Sequence, residues 1–228
     1  MVHFSNLGDA AAETDYAERV ARSPASGGTY ARFLKRGFDT LVVLLAAPFV
    51  LPVILLLGLL VSRDGGPAFY VQDRVGQGGR TFRIWKLRSM VVDADRRLAE
   101  HLTGDPAARA EWETTQKLKS DPRITPIGRL IRKASLDELP QLWNVLKGDM
   151  SLVGPRPMMP HQMALYPGRA YYALRPGLTG LWQISSRNET SFAGRATYDT
   201  DYAGRVSLLT DLLVLVATVR VVLRGTGY

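Results

Sequence analysis

The stretch Leu136–Pro157 reads L-D-E-L-P-Q-L-W-N-V-L-K-G-D-M-S-L-V-G-P-R-P. It places two adjacent carboxylates, Asp137 and Glu138, ahead of a Gly-Pro-Arg-Pro turn. A carboxylate can attack a phosphorus atom or hold a divalent metal ion. An arginine fixed between two prolines, here Arg156, can bind a phosphate group. Together these residues point to chemistry on a phosphate-containing substrate.

The carboxylate pair has a structural alternative. Ser135 and Glu138 match the capping-box pattern, in which a serine is followed three residues later by a glutamate. Pro140 argues against that pattern, because a proline inside the helix would remove a backbone donor. It fits better as the first helical residue. An isolated Asp-Glu pair is usually surface decoration, and it is the neighbouring motifs that favour a catalytic role here.

The charge of the chain is uneven. The 228 residues, enough for one domain or a small domain with appendages, carry a formal net charge of +8. Residues 119–187 hold ten basic and four acidic side chains, so they supply most of this excess. The asymmetry predicts a polyanionic partner, such as nucleic acid, an anionic membrane surface or a diphosphate substrate; the alternative is a solvated basic face. Because the chain has no cysteine, disulfides, thiolate catalysis and cysteine-ligated zinc are excluded.

A long apolar segment follows a polar amino-terminal stretch. Residues 1–29 resemble a flexible segment and not a signal peptide. Residues 40–62 are free of charge and long enough to match the hydrocarbon core of a bilayer. Pro48 and Pro52 lie in the middle, and basic residues flank both ends, which the positive-inside tendency places on the cytoplasmic side. The segment 30–63 is therefore predicted to be a re-entrant helix-break-helix, with an ordinary spanning helix and a buried core helix as alternatives.

The remaining residues, 64–228, are predicted to form an α+β domain that is mostly helical. Two β-like runs on either side of Gly76–Gly79 predict a short β-hairpin, and the glycine-rich connection reads as a turn. Residues 91–118 predict one or two surface helices, and residues 121–133 a half-buried helix with a basic face. The apolar run Leu208–Leu223 is predicted to pack on the core in preference to lying in the membrane interface.

Several motifs occur in an order that resembles the bacterial sugar transferase family, the monotopic polyprenyl-phosphate phosphoglycosyl transferases. The first is Lys35-Arg36-x-Phe38-Asp39 followed by Pro52, and the second is the Asp137-Glu138 stretch with its Gly-Pro-Arg-Pro turn. The third is R-P-G-x-T-G-x-x-Q at residues 175–183, followed by Asp199-x-Asp201-Tyr202. The resemblance extends from about Arg32 to the carboxyl terminus.

The resemblance implies a mechanism and a set of site residues. Asp137 would be the nucleophile that attacks the β-phosphate of a UDP-sugar, releases UMP and holds the sugar phosphate as an acyl phosphate. Glu138, together with Asp137, would bind Mg²⁺. The candidate substrate- and phosphate-binding residues are Arg132, Arg156, Arg175, Lys86 and Asp199. Pro52 or Pro48 would break the membrane helix.

The resemblance also implies partners and a location. The expected partners are a UDP-sugar, polyprenyl (undecaprenyl) phosphate, membrane lipid and downstream glycosyltransferases, with no nucleic acid. The chain would lie on the cytoplasmic face of the bacterial inner membrane and start the assembly of an exopolysaccharide or O-antigen glycan. The stretch Arg187–Ser191 slightly favours galactose over glucose. The alternatives are direct transfer, with Asp137 binding metal only, and a non-catalytic membrane-tethered module that binds anionic lipid or nucleic acid.

Overall fold

The computed structural model describes residues 28–115, 118–185 and 191–223. This part of the chain divides into two compact units. Of the described residues, unit 1 contains 28–48, 71–85, 141–185 and 191–223, and unit 2 contains 49–70, 86–115 and 118–140. Residues 1–27, most of the predicted flexible segment, lie outside the described residues. The division of the chain at residues 29 and 63 stays a prediction.

The longest helix, α1, runs from Lys35 to Val61 and follows a π-helical turn at Tyr30–Leu34. Within the described residues, α1 with its flanking turns is the one helix long and apolar enough to cross a membrane, and 17% of its most apolar window is buried. The helix is continuous through Pro48 and Pro52, so the predicted break is not an interruption of the helix. A proline removes one backbone hydrogen bond and favours a kink, yet a long helix can continue beyond it.

A β-hairpin follows α1. Strands β1 (Phe69–Val75) and β2 (Thr81–Leu87) form a two-stranded sheet, as the sequence predicts. In the connection Gly78 and Gly79 have φ angles of 65° and 79°, which lie in the left-handed region that favours glycine. The glycine-rich connection is therefore the predicted turn.

Unit 2 contains three further helices within its described residues: α2 (Ala94–Gly104), α3 (Pro106–Thr115) and α4 (Pro126–Lys133). The first two confirm the predicted surface helices. Helix α4 begins after Thr125, whose hydroxyl accepts a hydrogen bond of 2.8 Å from the backbone N–H of Gly128. This cap, with proline at the first helical position, fixes where the helix starts.

Unit 1 contains the following elements: α5 (Gln141–Lys147), β3 (Ser151–Val153), α6 (Ala170–Ala173), β4 (Gly177–Thr179), α7 (Leu181–Ile184), α8 (Arg195–Arg205) and α9 (Leu208–Leu223). Strands β3 and β4 pair in parallel, with Ser151 opposite Gly177 and Val153 opposite Thr179. The sequence did not predict this sheet, because strands of three residues are too short to show an alternating pattern. The fold is thus mostly helical with two small sheets.

Buried polar contacts fix the first half of α1 to unit 1. The ammonium group of Lys35 lies 2.5 Å from a carboxylate oxygen of Asp211, and the hydroxyl of Tyr202 donates to the other oxygen at 2.6 Å. One turn along the same helix face, Asp39 accepts a hydrogen bond of 2.7 Å from the hydroxyl of Ser151. The motif that contains Lys35 and Asp39 therefore attaches the helix to its unit.

The other end of α1 has its own polar contacts within unit 2. The buried guanidinium group of Arg88 donates to the carbonyl oxygen of Val61 at 3.0 Å and to a carboxylate oxygen of Asp64 at 2.8 Å. Arg88 also donates to the carbonyl oxygen of Pro67 at 2.7 Å. One side chain thus binds the last residue of α1 and the turn that follows it.

Helix α9 has two different faces. Asp211 and Val214 are buried against unit 1, whereas Leu209, Leu213 and Val216 are exposed. The preference for core packing is correct for the first face only. Sequence periodicity did not separate the faces because apolar residues occupy both sides of the helix.

Candidate active site

The two predicted catalytic carboxylates lie next to a lysine in unit 2. The ammonium group of Lys86 is 2.8 Å from a carboxylate oxygen of Glu138 and 3.6 Å from a carboxylate oxygen of Asp137. The three side chains are 20%, 19% and 13% exposed, respectively. The structure therefore brings Lys86 together with the carboxylate pair and leaves all three partly accessible.

Lys86, Arg132 and Asp137 are each adjacent in the sequence to an apolar residue that is packed in unit 2. Leu87, Ile131 and Leu136 belong to one apolar cluster of unit 2, together with Val61 at the end of α1. Leu87 follows Lys86, Ile131 precedes Arg132, and Leu136 precedes Asp137. Packing of the cluster therefore fixes the backbone next to Lys86, Arg132 and Asp137.

Helix α4 is also packed closely against the chain that follows β2. A Cβ atom added at Gly128 would lie 1.9 Å from the carbonyl oxygen of Ser89. The same oxygen accepts a hydrogen bond of 3.1 Å from the backbone N–H of Thr125. Only glycine allows this approach, which holds the helix that carries Arg132 against the strand end that carries Lys86.

The carboxylates occupy a short 3-10 turn, Leu136–Glu138, that begins at a strained residue. Ser135 has φ 54° and ψ 23°, and it is the one non-glycine residue with positive φ in the described part of the chain. Its side chain makes no capping hydrogen bond, so the capping-box alternative is wrong. Helix α5 begins at Gln141, directly after Pro140. Backbone strain of this kind is common where a structure fixes a functional group.

Burial and three neighbouring charges together determine the pKa of the Asp137 carboxyl group. Burial raises the pKa of the Asp137 carboxyl above its ordinary value, and the negative charge of Glu138 adds to the increase. The positive charges of Lys86 and Arg132 act in the opposite direction. Arg132 is therefore close enough to stabilise the anionic form of Asp137, which is the form that can act as a nucleophile.

The carboxylate pair fits a magnesium ion bound together with a diphosphate. Within the described residues, no three acidic, histidine or cysteine side chains form a cluster that could hold a metal ion. Mg²⁺ does not need one, since it keeps several waters and takes further oxygen ligands from substrate phosphates. Asp137 and Glu138 would supply the one or two carboxylates that such a site requires.

The other predicted motifs lie in unit 1, where the parallel sheet joins them. The backbone N–H of Gly154 donates to the carbonyl oxygen of Thr179 at 2.9 Å, and that of Gly177 donates to Pro155 at 2.8 Å. Cβ atoms added at Gly154, Gly177 or Gly180 would lie 2.1 to 2.3 Å from backbone atoms across the sheet. These glycines thus fix the loop geometry.

The predicted binding residues of unit 1 differ in their surroundings. Arg156 is half-buried on the turn after β3. Arg175 donates from Nε to the carbonyl oxygen of Gly148 at 3.1 Å, a contact that supports the loop. Asp199 is buried and accepts a hydrogen bond of 2.6 Å from the hydroxyl of Tyr166. Burial raises the pKa of Asp199 to about 6. Phosphate binding by these three residues stays a prediction.

No sequence motif assigned a role to Arg195, the first residue of α8. Its guanidinium carbon lies 4.1 Å from the centre of the Trp182 ring and 4.8 Å from that of Phe192. No local pattern links Arg195 to Trp182, because the two residues meet only in the folded chain. Residues 186–190, which include most of the stretch used to favour galactose, lie outside the described residues.

The family model for bacterial sugar transferases matches residues 30–225. The chain belongs to the bacterial sugar transferase family. This result confirms the family predicted from the motifs, and the matched range contains α1, both carboxylates and every candidate site residue. The carboxylate pair and Arg156 thus lie in one continuous matched range of the chain.

Three members of the bacterial sugar transferase family illustrate the similarity. The chain is 50% identical over 198 residues to a UDP-galactose-lipid carrier transferase of Erwinia amylovora and to an undecaprenyl-phosphate galactose phosphotransferase of Salmonella typhimurium. Each match covers 86% of this chain and 42% of the relative. The chain is 47% identical over 196 residues to the exopolysaccharide production protein ExoY of Sinorhizobium fredii, covering 85% of this chain and 87% of that protein. It thus spans less than half the length of the first two.

Proposed function

We propose that this chain transfers a sugar 1-phosphate from a UDP-sugar to polyprenyl phosphate, with Asp137 as the nucleophile. The observation that carries the proposal is the contact of Lys86 with Asp137 and Glu138 inside the matched family region. Relatives named for galactose phosphate transfer to a lipid carrier support the same reaction. The product would be the first lipid-linked intermediate of an exopolysaccharide or O-antigen glycan.

The reaction has two displacement steps. A carboxylate oxygen of Asp137 attacks the β-phosphorus of the UDP-sugar, and the bond from that phosphorus to the bridging oxygen breaks. UMP leaves with the bridging oxygen, and the sugar phosphate stays on Asp137 as an acyl phosphate. An oxygen of polyprenyl phosphate then attacks the same phosphorus, and the acyl phosphate bond breaks to restore the carboxylate of Asp137.

The side chains around Asp137 have separate tasks in this scheme. Lys86 and Arg132 favour the anionic form of Asp137 and offset charge on the substrate phosphates. Glu138, with Asp137, would hold Mg²⁺. The ion, when bound, supplies neutralisation of the diphosphate charge. In unit 1, Arg156 and Arg175 remain candidates for phosphate contacts, with Asp199 a weaker one.

We also propose that α1 is re-entrant, with both ends on the cytoplasmic face of the inner membrane. Lys35 and Asp39 at its first end bind Asp211 and Ser151, which come after α1 in the sequence. If α1 crossed the membrane once, the chain beyond it would lie on the opposite side from Lys35. Within the described residues no other helix is long and apolar enough to bring the chain back. Membrane entry and exit on one face satisfies these contacts.

The exposed side of α9 supports attachment to one membrane face. Leu209, Leu213 and Val216 are exposed on the face opposite to the buried Asp211. A helix with one apolar exposed face can lie in the interface between headgroups and acyl chains. Membrane lipid is therefore a proposed partner of α9 as well as of α1.

Mass spectrometry tests the covalent step directly. Without polyprenyl phosphate, the wild-type chain and a UDP-sugar should give about one equivalent of UMP and a protein heavier by one sugar phosphate. Asp137→Asn should form no adduct, whereas Glu138→Gln keeps the nucleophile and should form it slowly. Unmodified protein and no UMP until acceptor is added would favour direct transfer. No UMP with any UDP-sugar and acceptor would favour the non-catalytic binding module.

The sugar follows from a panel of donors. The two relatives named for galactose or UDP-galactose support galactose, which the sequence also favours slightly over glucose. UMP release from UDP-galactose should therefore exceed release from UDP-glucose under the same conditions. A higher rate with UDP-glucose would reverse this assignment without affecting the reaction type.

A further inference from the structure

Four buried polar side-chain atoms lack a hydrogen-bond partner on two neighbouring segments of unit 1, within the part of the chain that the structure describes. They are Nε1 of Trp182, Oε1 and Nε2 of Gln183, and Nε of Arg195. Trp182 and Gln183 are 8% and 6% exposed. Buried polar groups in folded proteins are nearly always hydrogen bonded, so a local group of four requires an explanation.

The residues that carry these atoms are held firmly. The guanidinium group of Arg195 lies over the rings of Trp182 and Phe192 at 4.1 and 4.8 Å. A cation placed over aromatic rings at these distances is stabilised by the ring electrons. The rings fix the plane of the guanidinium group, while its Nε stays without a partner in the protein. Arg195 is therefore oriented without being neutralised by these contacts.

The turn that carries Arg156 lies beside Gln183. A Cβ atom added at Gly180 would lie 2.1 Å from the carbonyl oxygen of Gly154 and 2.9 Å from Oε1 of Gln183. Gly154 begins the Gly-Pro-Arg-Pro turn, and Gly180 directly precedes α7, which carries Trp182 and Gln183. The glycine pair thus brings the Arg156 turn and α7 into direct contact.

The local charge is positive. Burial, followed by the charge of Arg156, lowers the pKa of Arg195 to about 10, and Asp199 acts in the opposite direction. Asp199 is itself buried and bound by the hydroxyl of Tyr166. The positive charges of Arg156 and Arg195 therefore lie close enough to repel each other, and Asp199 offsets part of the charge of Arg195. Such an arrangement is stabilised by a bound anion with several acceptor oxygens, such as a phosphate group.

We propose that Gln183, Trp182 and Arg195, with Arg156, bind the nucleoside diphosphate part of the UDP-sugar. The unpaired N–H groups of Trp182, Gln183 and Arg195 match phosphoryl and carbonyl oxygens of the ligand. Oε1 of Gln183 is an acceptor, so the ligand must also offer a donor. Uridine has an imide N–H and ribose hydroxyls, whereas the dianion of polyprenyl phosphate offers acceptors only. This difference assigns the site to the donor substrate.

The inference deepens the proposed function and rests on it. Its test uses the full chain in lipid nanodiscs with the variants Gln183→Met and Arg195→Met. The equilibrium Kd for UDP and the KM values for UDP-sugar and polyprenyl phosphate are measured, together with the melting temperature. Arg205→Met is a matched charge control, because Arg205 lies on the same helix and binds the exposed Asp201 at 2.7 Å. Asn144→Leu is the control for a buried amide that has partners.

The site predicts opposite changes in binding and stability. Both variants should weaken UDP binding and raise KM for the UDP-sugar by about tenfold to a hundredfold, the loss expected for hydrogen bonds to a charged group. KM for polyprenyl phosphate should change less than twofold, as should both constants in Arg205→Met. Gln183→Met should keep or raise the melting temperature, since it removes an unpaired buried amide, whereas Asn144→Leu should lower it.

Other outcomes overturn the inference in separate ways. An unchanged Kd for UDP in both variants refutes the site, as does a rise in KM confined to polyprenyl phosphate. A lower melting temperature with an unchanged Kd would show a structural role only. If either variant fails to fold, Trp182→Phe keeps the ring beneath Arg195 and removes Nε1 alone, so the same binding measurement decides. Wild-type chain that binds UDP but releases no UMP would refute the proposed function and leave the site standing.

Discussion

Substitution of Lys86 by methionine tests whether Lys86 favours the anionic form of Asp137. The ammonium group lies 2.8 Å from Glu138 and 3.6 Å from Asp137, and all three side chains are at most 20% exposed. Methionine keeps the apolar stem and removes the charge. Two adjacent carboxylates then lose their nearest cation, and the pKa of Asp137 rises further. A smaller fraction of Asp137 is then anionic at any given pH.

The expected decrease in the rate of UMP release follows from the contact that Lys86→Met removes. In the proposed reaction Lys86 also offsets charge on the substrate phosphates, and a hydrogen bond to such a charged group contributes about 1.5–3 kcal/mol, which corresponds to about one to two orders of magnitude in rate. The burst of UMP release without acceptor should slow by this factor at neutral pH in Lys86→Met. The acid limb of its pH–rate profile should move to higher pH, so that raising the pH restores part of the rate.

Rapid-quench measurement of UMP across a pH series gives both the rate and the acid limb. Arg83→Met is the control, because Arg83 is an exposed cation on the same strand, three residues earlier. Its burst rate should stay within twofold of the wild type. An unchanged burst rate in Lys86→Met, or an acid limb that moves to lower pH, would refute the role given to Lys86.

Three further predictions concern stability and the metal ion. Burial raises the pKa of Asp137 above 3.8, so the wild type loses stability as the pH rises from near 3.8 through the folded-state pKa. Asp137→Asn should therefore melt higher than the wild type by a margin that grows over this pH range, and an equal margin at all pH values would contradict this. Gly128→Ala should destabilise the chain by about 1–3 kcal/mol in denaturant unfolding, because its Cβ would lie 1.9 Å from Ser89 O, whereas Gly104→Ala, with no atom within 4 Å of its Cβ, should be neutral. EDTA should abolish UMP release and Mg²⁺ should restore it; full activity in the chelator would favour catalysis by lysine and arginine alone.

Local patterns predicted much of the secondary structure and the central part of the site. The hairpin and the two surface helices each depend on residues close in the sequence. Asp137 and Glu138 were identified because they are adjacent and lie in a motif. The sequence also named Lys86 and Arg132, but only the folded chain shows their distance from Asp137 or their effect on it.

Features that depend on long-range contacts were missed. The β3–β4 sheet joins segments separated by the whole of α6, and its strands are too short to show a pattern. Arg195 received no role because Trp182 and Phe192 meet it only after folding. Pro48 and Pro52 predicted an interruption, yet the backbone stays helical through both. For the sheet and for Arg195, the local sequence contains the residues but not the contact, whereas at the two prolines a long helix can continue beyond a proline.

The number of basic residues that flank α1 was a weak guide to its topology, because the sequence does not show which of them form contacts in the folded chain. Lys35 and Arg36 were counted as cytoplasmic flanking charges. In the structure, Lys35 pairs with the buried Asp211, and Arg36 donates to the carbonyl oxygen of Leu146. Arg175 likewise binds a backbone carbonyl. Part of the net charge of +8 therefore stabilises the fold, and the topology proposed for α1 depends more on the positions of its polar partners than on the number of cations near it.

The environment of Asp137 has consequences for both steps of the proposed reaction. Burial makes this carboxylate more basic than one in water, and a more basic oxygen is a stronger nucleophile once it is deprotonated. The same basicity makes Asp137 a poorer leaving group when polyprenyl phosphate attacks the acyl phosphate. Lys86 and Arg132 lower the pKa of Asp137, so they increase its anionic fraction in the first step and stabilise the departing carboxylate in the second. Cations beside a buried nucleophile therefore lower its basicity and make it a better leaving group. We expect Lys86→Met to slow both the formation of the adduct and its transfer to the acceptor.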